Sequence, residues 1–189
     1  MAGHETHYTL PLPGFDRPVR LLIVVAPYYR DIANALIAGA RATAAAAGAE
    51  VDLIEVPGAL EIPPAVRLAH MHANFDGFVA LGCVIRGETT HYETVCNDSS
   101  RGLMLLGLDG ALIGNGILTV ENRAQAMARA DPQGQDKGGG AAAAALHLIA
   151  LARRWAGARR SIGFRADEAE FRIAGTPSGT PSGSRQERK

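Results

Sequence analysis

The chain has 189 residues, which suits one core with some excess, and 47% of them are hydrophobic, ordinary for a folded soluble protein. Its formal net charge is zero, yet residues 153–189 carry nine Arg and Lys against four Asp and Glu, leaving ten against fifteen in residues 1–152. That basic tail has neither interleaved aromatics nor a basic helical stripe, so a nucleic-acid partner is not expected, and no run reaches the ~18 apolar residues of a membrane span.

Residues 1–18 are polar and broken by Pro11, Pro13 and Pro18, and read as an extended arm without a secretory leader's basic and apolar regions. RLLIVVA (20–26) is a strand buried on both faces. A helix follows from Asp31, which serves as its cap, with apolar positions at helical spacing until Gly48 stops it. VDLIEV (51–56) is the second strand, and PPAVRLAHMHA a helix with Pro in its first turn. GFVALGCVI is the third strand, about Tyr92 to Leu108 the third helix, and ALIGNGILT (111–119) the fourth strand. ENRAQAMARA gives a fourth helix, DPQGQDKGGG a break, and AAAAALHLIALARRW a fifth helix to about Trp155. Strands alternating with helices of this length form a parallel sheet through right-handed crossovers. Residues 158–189, with the repeat GTPSGTPSGS, cannot bury a core and are expected to be disordered.

Cys83 and Cys96 have no second CxxC or HxxxH to complete a metal site. They read as reduced thiols, buried or nearly so, which agrees with a cytoplasmic location. In open parallel sheets ligands bind beyond the carboxyl ends of the strands. That rule selects APYYRD, PGALEIP, RGETTHY and VEN.

At Tyr28 the reading divides between stacking on a planar ring and packing in the core. Glu61 divides between holding hydroxyls and facing a helix dipole. Gly87-Glu88-Thr89-Thr90 enters a helix, so its free N–H groups suit a phosphate, while Thr89 or Thr90 as a plain cap is the competing reading. His91, one residue on, is placed to move protons near neutral pH if an anion sits beside it. Arg129 has a ready structural role at the end of its helix. Lys137 lies in DKGGG, which lacks the spacing of a phosphate loop.

Taken together, VPGALEIP, LGCVIRGETTHYETVCN, GNGILTVEN and the ARA…DKGG segment resemble the 6,7-dimethyl-8-ribityllumazine synthase family, from about Leu21 to Trp155. The resemblance implies a domain over 19–157 with a three-layer α/β/α, flavodoxin-like fold: a four-stranded parallel sheet with helices on both faces. It implies a cytoplasmic transferase of riboflavin biosynthesis that condenses 5-amino-6-(D-ribitylamino)uracil with 3,4-dihydroxy-2-butanone 4-phosphate, without cofactor or metal. It also implies a homopentamer, in some members built into an icosahedral shell, with active sites shared between adjacent subunits.

By position, the resemblance assigns Tyr28 to stack on the pyrimidine, Ala59, Leu60 and Glu61 to line the pocket, and Cys83, Val84 and Ile85 to offer backbone groups to the ring's edge. Glu88 and Thr89 would hold the phosphate with Arg129 of a neighbouring subunit, and His91 would transfer protons. Lys137 would touch the pyrimidine carbonyl. Asn115 stands where some members place a Phe, and Tyr28 where Phe or Trp is common. Arg86 has no assigned role and reads as half of a structural ion pair. The rival readings are a flavin- or ribityl-binding module without turnover, and a purely structural shell subunit.

Overall fold

The computed structural model describes residues 9–159. Four strands, β1 (Val19–Val25), β2 (Ala49–Glu55), β3 (Gly77–Ile85) and β4 (Ile113–Val120), pair in parallel in the order β2-β1-β3-β4. The helices are α1 (Arg30–Ala46), α2 (Ile62–His72), α3 (His91–Leu108), α4 (Arg123–Ala130) and α5 (Lys137–Arg159), with a 3₁₀ turn at Ala59–Glu61 before α2. This is the three-layer α/β/α arrangement of flavodoxin-like folds.

Side-chain alternation explains the layers. In β1, Leu21, Ile23 and Val25 pack with α1, α4 and α5, whereas Leu22 and Val24 pack with α2 and α3. Both faces of the central strands are therefore apolar, and all but the last two residues of β3 are buried. The edge strand β2 alternates half-buried and exposed positions over most of its length, since it meets a neighbour on one side only.

Alanine and glycine set the distances on the α1–α5 face. Ala40, Ala44, Ala141, Ala142 and Ala145 are buried there. A Cβ on Gly114 would stand 1.8 Å from the Ala141 carbonyl oxygen, so α5 crosses β4 almost in backbone contact. Gly48 ends the α1 region at φ +69, in the left-handed region that glycine adopts without strain.

Two helix starts differ from the sequence expectation. α1 begins at Arg30, its N-cap position is Tyr29 with no side-chain bond, and Asp31 instead pairs with Arg123 of α4. α5 begins at Lys137, so the glycines of DKGGG form its first turn rather than a break, and the break is confined to 131–136. Cys83 is buried, Cys96 is half-buried, and both are free. No helix among the described residues is long and apolar enough to cross a membrane. The expectations for residues 1–8 and 160–189 lie outside the described residues.

Candidate active site

Strand order reverses between β1 and β3, because the chain leaves β1 toward β2 on one side and reaches β3 and β4 on the other. Such a switch point opens a crevice at the strands' carboxyl ends. β3 deepens it. β1 pairs with β3 only as far as Leu81, while β4 stays paired to Ile85. Residues 82–85 therefore run past β1 with one backbone edge unpaired.

A cavity of about 490 Å³ lies there, lined by residues that follow β1 and β2, by the end of β3 and by the start of α3. That volume is in the range of small-molecule sites. Of the residues singled out in the sequence, Tyr28, Ala59, Leu60, Glu61, Cys83, Val84, Ile85, Thr89 and His91 all line it. Glu88, Asn115, Arg129 and Lys137 do not, nor does the VEN segment after β4.

The two tyrosines after β1 divide the two readings between them. Tyr29 is half-buried and packs on the core, with the Arg123 guanidinium 5.9 Å from its ring centroid. Tyr28 is 76% exposed at the rim and meets Tyr29 edge-on, with centroids 5.0 Å apart at 76°. Its ring is thus free for a planar ligand.

On the second wall, Pro57-Gly58 turns into the 3₁₀ segment and brings the Glu61 carboxylate beside Gly58, where a Cβ would stand 2.9 Å from Oε2. On the third, burial pushes the Cys83 thiol up to about 11, with Asp31 adding to the rise and Arg123 opposing it. The thiol stays protonated near neutral pH, so Cys83 acts as an apolar wall and not as a nucleophile.

α3 starts at the cavity's edge with His91 exposed. Thr90 occupies the N-cap position but its side chain makes no capping bond. No backbone or side-chain acceptor engages the N–H groups of residues 87–90 among the described residues. Free amides at a helix's positive end favour an anion.

Residues 18–153 match the family model for 6,7-dimethyl-8-ribityllumazine synthase. The chain belongs to that family. The 6,7-dimethyl-8-ribityllumazine synthase of Jannaschia sp. (strain CCS1) is 55% identical over 165 residues, 87% of this chain and 92% of its own. That of Novosphingobium aromaticivorans is 57% identical over 136 residues, 72% of this chain and 98% of its own.

The residues this lumazine synthase family member keeps away from its own cavity lie on other surfaces. Asn115 is exposed on the edge strand β4, its Oδ1 accepting from the Ile117 N–H at 3.0 Å, and it stands five residues before the strand's last residue, roughly 16 Å by strand rise. Arg129 is half-buried on α4 and donates to the Gln125 carbonyl at 3.1 Å. Lys137 is exposed at the first residue of α5. Tyr92, the last residue of the RGETTHY segment but without a role assigned from the sequence, also lines the cavity, as does Val95, which the sequence does not single out. The available signal was helical spacing, since Val95 follows His91 by one turn.

Proposed function

We propose that this chain condenses 5-amino-6-(D-ribitylamino)uracil with 3,4-dihydroxy-2-butanone 4-phosphate to 6,7-dimethyl-8-ribityllumazine, releasing phosphate and water, the penultimate step of riboflavin biosynthesis. The observation that carries this reading is the meeting of an exposed aromatic, an unpaired strand edge and an uncapped helix start around one cavity. Tyr28 stacks on the pyrimidine, and the backbone of Cys83, Val84 and Ile85 hydrogen-bonds its edge. Ala59, Leu60 and Glu61 hold the ribityl chain. The amides around Glu88 and Thr89 bind the phosphate. His91 stands between the two substrates and moves protons during imine formation and phosphate elimination. Much of the acceleration is orientation, worth several kcal/mol, since the uracil's own 5-amino group supplies the nucleophile.

Arg129, Lys137 and Asn115 serve the cavity of an adjacent copy in a homopentamer, and pentamers of this kind can build a shell. Two observations support assembly. Leu68 and Met71 of α2 and Met104, Leu105 and Leu108 of α3 leave an apolar surface exposed, and Arg129 is remote from the cavity of its own chain. The free thiols are compatible with a reducing compartment and support a cytoplasmic location for the reaction.

Mixing the two substrates with the purified chain should produce lumazine fluorescence. Ribityl-compound binding without product would leave only a binding module, and assembly without binding only a shell subunit. His91→Ala should slow turnover by a factor of about 10² to 10⁴ while leaving binding of a substrate analogue nearly intact. If sites are shared, co-assembling inactive His91→Ala and Arg129→Ala chains should restore about a quarter of the sites, since each needs one intact group from each neighbour. No recovery, or a stable monomer in light scattering, would sink the shared site.

A further inference from the structure

The first turn of α3 carries the reactive side chain, yet it lacks the brace that a helix start ordinarily receives. Thr90 gives no side-chain cap, and Gly87 has no neighbour that a Cβ would meet within 4 Å. What restrains the turn comes from outside it. Arg86, the residue after β3, is pinned through its own N–H to the Val120 carbonyl at 2.9 Å. Its guanidinium reaches Glu93 of α3 at 2.5 Å and Glu121, between β4 and α4, at 2.7 Å. It also lies over the ring of Tyr92, 4.2 Å from the centroid.

Glu121 is itself anchored. The Glu121 N–H donates to Gln125 Oε1 at 3.0 Å, and Gln125 N–H in turn donates to the α4 cap Asn122. Arg86 therefore joins the start of α3 to the capped start of α4, and through Tyr92 it touches the cavity wall.

We propose that Arg86 is a positioning residue for the reaction: it does the work of the missing cap, holding the first turn of α3 so that His91 and the amides of 87–90 keep one orientation toward the cavity. The part of this that concerns His91 rests on the function proposed above. A side-chain cap would occupy the amides that a phosphate needs. A guanidinium gripping the turn through Glu93 and Tyr92 restrains it and leaves those amides free. The planar fork can bridge two carboxylates while stacking on a ring, which a lysine ammonium cannot reproduce.

The test uses the full chain with Arg86→Met, Arg86→Lys and Glu121→Gln, read by hydrogen exchange over residues 87–97 and by steady-state kinetics with each substrate varied in turn. Arg86→Met should speed exchange of that segment by about tenfold. It should lower kcat by about tenfold, a fraction of the proton-transfer factor, and raise KM for the phosphate-bearing substrate. KM for the pyrimidine, held by the segments after β1 and β2 and by the backbone of residues 83–85 that β4 keeps in register, should not change. Arg86→Lys should fail to rescue. Glu121→Gln should give a smaller loss of the same kind, and adding it to Arg86→Met should do nothing further.

Unchanged exchange over 87–97, equal rises in both KM values, or additive losses in the double variant would each overturn the proposal. If Arg86→Met does not fold, the faster exchange must appear in Glu121→Gln or the proposal fails. A wild-type chain that makes no lumazine would instead defeat the functional reading, and exchange would still decide whether Arg86 holds the turn.

Discussion

Two glycine-bearing segments open helices in this molecule, RGETTH at 86–91 and DKGGG at 136–140, and they are built in opposite ways. In the second, Asp136 adopts φ 42 and its side chain accepts from the Gly139 N–H at 2.9 Å, so α5 begins capped. A Cβ on Gly138 would stand 2.1 Å from the Leu36 carbonyl oxygen, so glycine is there to let α5 touch α1. In the first segment nothing lies within 4 Å of such a Cβ on Gly87, and Thr90 offers no cap. Glycine beside closed amides serves the scaffold here; glycine beside open amides leaves donors that suit an anion.

The sharpest way to break that contrast is to add the same methyl group to both. Gly138→Ala drives a side-chain carbon into backbone that cannot retreat without separating α1 from α5. Overpacking of this kind should destabilise the fold by about 3 kcal/mol, measured by urea unfolding. Gly87→Ala should stay within about 0.5 kcal/mol, because the added methyl meets no neighbour. Equal losses at the two sites would mean that the open character of 86–91 is illusory.

A second substitution closes the open segment instead. Thr90→Asp places a carboxylate beside the first turn of α3, where it should meet the helix dipole and raise stability by about 0.5 kcal/mol. The same charge competes with phosphate for the amides. KM for 3,4-dihydroxy-2-butanone 4-phosphate should rise by about 10²-fold, equivalent to ~2.7 kcal/mol. A more stable protein with a weaker site is the expected signature. Unchanged KM would remove the amides from phosphate binding.

Much of the architecture was legible before the structure. The change from continuous apolar strands to helical spacing, punctuated by Gly48, Pro57-Gly58 and Gly87, marks the βα order, and the carboxyl-end rule then selects four loops, of which the three after β1, β2 and β3 line the cavity and VEN does not. What was not legible depended on distant partners. Asp31 looks like a cap by local chemistry, but Arg123, 92 residues away, takes its carboxylate. Three consecutive glycines look like a helix break because each costs about 1 kcal/mol relative to alanine in a helix. Close contact with Leu36 and Asp136 overrides that preference. Arg86 reads from the sequence as half of an ion pair; the structure gives it two carboxylates and a ring, one of those carboxylates 35 residues away.

The contrast between closed scaffold and open site extends to charge at the other end of the sheet, where it can be tested most gently. Asp76 precedes β3, accepts from the Arg20 N–H at 2.9 Å, and pairs with Arg153 at 3.0 Å. Arg153 also donates to the carbonyls of Arg17 and Pro18, tying the segment before β1 to α5. Burial alone would raise the Asp76 pKa, but the Arg20 N–H and Arg153 outweigh it and hold the carboxyl below its usual range. A depressed folded-state pKa contributes stability that is present above the unfolded value of about 3.9 and is lost as pH falls through the folded value. Asp76→Asn should therefore cost about 1 kcal/mol at pH 7, after allowing for partial exposure. The difference from wild type should shrink below about pH 4 and vanish in stronger acid. Because this ion pair lies at the end of the sheet away from the cavity, kcat should stay at the wild-type value throughout. A fall in kcat at pH 7 would show that closed scaffold and open site are not independent.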